Sequence, residues 1–177
     1  MALLLGTLMG CGRLDAGGAP DSRPAPTPHP HGRFDAEIAL DNGGRAGMYY
    51  AAGRGLMEQH LDAGATRWSS PHLVHRTGAD PCLSVTLKRF RGVVAAIANW
   101  GPYCADGEPP TESIAAVGSM GLSKWDTEVT KDFDGWEKVT ASDGQRELTF
   151  TNASTESVTR LRWNRAVGFS DVEEIPR

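Results

Sequence analysis

A chain of 177 residues, 40% of them apolar, is long enough for one domain with a real core and short for two. Its formal net charge of −4 excludes the strongly basic face of a nucleic-acid binder. The charge is uneven: residues 105–157 carry eleven acidic against four basic side chains, and residues 12–104 carry eight against ten. Such an acidic half favours a cationic partner or metal ions, although a solvated face is the simpler expectation.

Residues 1–10, MALLLGTLMG, form a short apolar run followed at once by Cys11. It is too short to span a bilayer as a helix and has the shape of the end of a secretory signal. Leu8-Met9-Gly10-Cys11 resembles the lipobox of bacterial lipoproteins, with Leu8, Gly10 and Cys11 on the pattern and Met9 where a small or β-branched residue is usual. The resemblance implies lipid on Cys11, which then begins the mature chain and anchors it to a membrane outside the cytoplasm. It covers these few residues and implies nothing about the fold. Residues 11–33 are rich in Pro, Gly and Ala without apolar period, and read as a flexible tether. Its coil reach is roughly 25 Å, from about 5–6 Å times the square root of its length. His29 and His31 lie here and are expected to be solvated.

Residues 34–177 read as a single globular domain. Phe34, Ile38 and Leu40 precede the breaker Asp41-Asn42-Gly43-Gly44. Met48, Tyr49, Ala52, Leu56, Met57, His60 and Leu61 then recur at intervals of three and four, which predicts a helix with one apolar face. Gly53 and Gly55 weaken it, and Ala63-Gly64 is its stop. In residues 65–81, Trp68, Leu73 and Val74 are expected to be buried between turns at Pro71 and Gly78–Pro81. His60, His72 and His75 would supply a three-histidine zinc site if they met. No HExxH pattern accompanies them, so no metal is expected.

The longest strand-like stretch is Cys82–Cys104. Leu83, Val85 and Leu87 alternate with Ser84, Thr86 and Lys88, the period of a half-buried strand. Arg91-Gly92 offers a turn. Val93–Ala98 is apolar on both faces, as in a strand covered on two sides. Folding the run back brings Cys82 near Cys104, which predicts a disulfide in an oxidising compartment; the alternative is two buried thiols. If Cys11 takes lipid, all three cysteines are accounted for.

Beyond Cys104 lies a polar Pro-rich loop, then the apolar piece Ile114–Val117. Gly118-Ser119-Met120-Gly121 is a turn: it lacks the glycine two before the serine of a nucleophile elbow and the Lys of a phosphate loop. Residues 123–163 read as an antiparallel meander with strands near 136–141, 146–152 and 157–163. Asp132-Phe133-Asp134-Gly135 is a turn rather than a calcium loop, since Thr130 and Ala141 occupy the positions that need carboxylates. The acidic tail 168–177 is expected to be loosely attached.

The expected fold is α+β: an N-terminal helix packed on a mainly antiparallel sheet with one intradomain disulfide. The expected function is a non-enzymatic envelope lipoprotein that binds an unknown ligand or partner, with Trp100, Tyr103 and the acidic loop after Cys104 as the contact surface. No cofactor, metal or catalytic residue is assigned. The alternatives are a small secreted hydrolase using His60, His72 or His75, and an inhibitor- or immunity-type interaction protein.

Overall fold

A computed structural model describes residues 34–177. The apolar start, the lipobox-like run with Cys11, and the 11–33 segment lie outside the described residues. Within them the chain forms β1 (Ala36–Ala39), β2 (Arg45–Ala51), β3 (Gly55–Leu61), β4 (His72–His75), β5 (Pro81–Phe90), β6 (Val93–Trp100), β7 (Glu112–Ser119) and β8 (Lys124–Lys131). Then follow β9 (Lys138–Ala141), β10 (Glu147–Ala153), β11 (Ser157–Asn164), β12 (Gly168–Phe169) and β13 (Glu173–Pro176). These make three antiparallel sheets, each a meander of consecutive strands: β1-β2-β3-β4, β5-β6-β7-β8, and β9-β10-β11-β12 with β13 also on β11.

The second sheet is the middle layer of a stack. Strands β6 and β7 alternate their side chains between two cores. Val93, Ala95, Ile97, Ala115 and Val117 meet Trp136, Val139, Leu148, Phe150, Leu161 and Trp163 of the third sheet and its approach. Ala96, Ala98, Trp100, Ile114 and Ala116 meet Met48, Tyr50 and Leu56 of the first sheet. Both faces of β6 and β7 are therefore dry, and each strand reads as a continuous apolar run. Alanines in the middle layer face large side chains from the outer layers, small against large, as side chains from facing sheets interleave.

The N-terminal helix is absent; residues 34–63 form β1, β2 and β3 instead, and the α+β expectation is corrected to all-β. The spacing of three and four arose from reading across a turn. In β2, Ala46, Met48 and Tyr50 face the middle layer with period two; in β3, Leu56 and Glu58 sit opposite Tyr50 and Met48. Gly53 and Gly55 hold φ of +67° and +110° in the turn between. At Gly55 a Cβ would also collide with the His75 carbonyl. The glycines that only weakened a helix are the ones that make the hairpin.

The stretch around the cysteines forms a two-stranded ribbon. Phe90 pairs with Val93 across the Arg91-Gly92 turn, and the register runs to Val85 opposite Ala98. It then shifts, so that Pro81 lies opposite Trp100. The extra residues form a bulge that contains Cys82. Cys82 and Cys104 are joined by a disulfide, with Cα atoms 5.0 Å apart. The tail is also docked: β13 pairs Glu173–Pro176 with Arg160–Ser157 of β11, and Arg160 forms an ion pair with Glu173. The edge of β11 offered backbone partners that composition alone did not reveal.

Candidate functional site

Two loops close one end of the middle layer. The first runs from Gly101 to Thr111, between β6 and β7; the second, Asp132–Gly135, leaves β8 for the third sheet. Between them lies a cavity of about 450 Å³, lined by Pro102, Tyr103, Asp106 and residues 108–111 on one side and Asp132, Phe133 and Asp134 on the other.

The loops are built to hold a shape. The disulfide ties Cys104 to the β5 bulge. A short 3-10 turn, Cys104–Asp106, ends at Gly107, whose amide donates to the Cys104 carbonyl. The Gly101 amide donates to the Asp80 carbonyl and the Thr111 amide to the Trp100 carbonyl, each at 2.9 Å. The loops are joined directly, because the Asp132 amide donates to the Thr111 carbonyl at 2.8 Å. Gly135 sits at φ +96°, where a Cβ would lie 2.7 Å from Pro110 Cγ. Only glycine lets the loops approach this closely. Asn152 donates its side-chain amide to the Gly135 carbonyl at 2.6 Å. The Ser113 hydroxyl accepts the Trp136 amide at 3.0 Å and donates to Asn99 Oδ1 at 2.5 Å. Phe133 packs on Trp136 with ring centroids 4.6 Å apart.

The lining is acidic and aromatic. Asp106, Glu108, Asp132 and Asp134 supply four carboxylates, and no Lys, Arg or His lines the cavity. Among the described residues none of the four takes a side-chain hydrogen bond or ion pair. Tyr103 is 63% exposed, so its ring is open to solvent within the lining of the cavity.

Of the two aromatics expected at the contact surface, only Tyr103 is exposed. Trp100 is 1% exposed. It stands on the β6 face toward the first sheet, with Tyr50 edge-on at 5.5 Å and His75 at 5.2 Å. Its place in the surface is corrected: the alternation through Ala96 and Ala98 carries it inward.

The three histidines do not converge on one another or on a nucleophile. His60 Nδ1 lies 3.0 Å from Glu58 Oε1 within β3. His75 Nε2 lies 3.2 Å from Glu112 Oε1, joining the first and middle layers. His72 is exposed on β4. Each paired imidazole bonds a carboxylate, and among the described residues no Ser, Thr or Cys side chain bonds either ring. Among the described residues no group of three or more His, Cys, Asp or Glu side chains is arranged to hold a metal ion.

Sequence reasoning missed Glu58, which is 0% exposed in the first core. Its Oε2 has no hydrogen-bond partner. Burial pushes its carboxyl above the usual glutamate range, opposed by the charge and hydrogen bond of His60. The available signal was its strand parity with Leu56 and Met48, hidden by the helical reading. The second loop was read as a bare turn, so its share in the cavity was also missed.

The disulfide points to an oxidising, extracytoplasmic environment. Comparison with protein-family models, with curated proteins and with solved structures finds no match to this chain.

Proposed function

We propose that this chain is an extracytoplasmic binding module, tethered to a membrane through lipid on Cys11, which takes its ligand in the cleft between loops 101–111 and 132–135. The observation that carries the reading is the cleft itself. It joins an exposed ring, Tyr103, to carboxylates without internal partners, on loops fixed by a disulfide and backbone hydrogen bonds. Its volume of about 450 Å³ falls in the range of small-ligand sites. A pre-formed cleft avoids the ordering cost that a mobile loop incurs on binding. The tether and anchor are supported by the lipobox-like residues and by the Pro-rich segment after them.

Two measurements test this. In a lipidating bacterial host, mass spectrometry of the mature protein should find a diacylglyceryl adduct on Cys11, abolished in Cys11→Ser; an unmodified soluble product contradicts the anchor. A fragment mixture followed by NMR should shift the rings of Tyr103 and Phe133. Tyr103→Ala should remove the Phe133 shift while changing stability by less than about 0.5 kcal/mol. Fragments that engage only other surfaces contradict the cleft.

A further inference from the structure

Resting on the cleft as the binding site, we propose that its ligand is a small organic cation: an ammonium or guanidinium head on an apolar stem. Charge is the first reason. The four lining carboxylates face a cavity without a basic side chain. Elsewhere on the described surface several acids stand beside bases, as in Glu37 with Arg45, Asp41 with Arg89, Asp126 with Lys124 and Glu173 with Arg160, while others such as Asp62, Asp143 and Glu156 stand singly; the cleft differs in gathering four around one hollow. In the cleft none of the carboxylates is matched this way, so its negative potential is not neutralised from within. Lys131, next in the chain to Asp132, is exposed and does not line the cavity. A concave site of one sign concentrates ligands of the other.

The walls are the second reason. Tyr103 and Phe133 offer rings, one exposed and one braced on Trp136, and Pro102, Pro109 and Pro110 add apolar surface. Ring faces attract ammonium and guanidinium groups. A bare divalent ion is the wrong occupant. Calcium takes six to eight oxygen ligands, and the carboxylates do not converge as a metal-binding group. Anions are repelled, and a neutral polyol would use the carboxylates as hydrogen-bond acceptors but not their charge. A cation with an apolar stem uses both features.

The test is NMR titration of the full chain with choline, butylammonium and butylguanidinium, against the neutral 3,3-dimethyl-1-butanol and methyl glucoside. At least one cation should saturably shift the Tyr103 and Phe133 rings and the amides of the two loops. It should bind about tenfold more tightly than the neutral alcohol of choline's shape, as a solvent-exposed cation–ring contact joined by the attraction of four carboxylates implies. Asp132→Asn with Asp134→Asn, shown to be folded by circular dichroism, should weaken the cation about fivefold and leave the neutral probes unchanged. If neutral probes engage the cleft as well as the cations do, the ligand class is overturned while the cleft reading stands. If no probe shifts the cleft, both are overturned.

Discussion

Glu58 shows how strand parity decides a residue's fate. Opposite Met48 and on the same face as Leu56, it is carried into the core between the first and middle layers. One oxygen reaches His60 and the other has no partner. The neutral form is favoured there, mainly because burial penalises the charge. A carboxyl whose folded pKa is raised gives its full stabilising contribution below its unfolded pKa, about 4.3. That contribution is lost as pH rises through the folded value. Replacing it with an apolar side chain of similar volume removes both the charge and the orphaned oxygen. Met alone would leave the part-buried His60 ring without that partner, so Glu58→Met with His60→Leu, which replaces both, should stabilise the protein by about 1–3 kcal/mol near pH 8, with the gain narrowing toward pH 4. Denaturant unfolding at the two pH values checks this; a loss of stability at pH 8 contradicts it. The same parity rule explains Trp100, whose position after Ala96 and Ala98 on β6 takes it into the core, whereas Tyr103 lies beyond the strand and stays exposed.

Elements were legible where one period ruled and two-residue turns were marked. The Arg91-Gly92 hairpin, the doubly apolar β6 and the strands at 147–153 and 157–164 follow from patterns present in the sequence. The hairpin at 45–61 was not, because its two strands, joined across Gly53 and Gly55, place apolar residues at helix-like intervals. Propensity favoured no alternative; pairing with β1 and β4 and burial on the middle layer decided the outcome. The tail was misread for a related reason, since acidic composition conceals the backbone groups that pair with β11. The cysteine ribbon was the most legible element, and its clamp has a measurable consequence. Cys82→Ser with Cys104→Ser should cost about 3 kcal/mol for a loop of 22 residues. Chemical denaturation reads it, and an unchanged midpoint would show that the clamp does not hold the ribbon.

At the scale of the molecule, the middle sheet fixes everything else. Its alanines face the large side chains of both outer sheets, and its end carries the loop from Gly101 to Thr111 that forms one wall of the cleft. The second wall leaves the edge of the same sheet at β8 and is pinned to the first by the Asp132 amide. The first wall contains the short 3-10 turn Cys104–Asp106, and both walls spring from strands of the stack. Sequence showed one half of this, the apolar run of β6, but could not show which layers cover it, because that requires pairing between distant segments. Hydrogen–deuterium exchange of the full chain tests the layered account most directly. Amides of Val93–Trp100 and Glu112–Ser119 should be the slowest to exchange, opening only with global unfolding. Exchange of these two segments as fast as that of the edge strands β1 and β4 would contradict it.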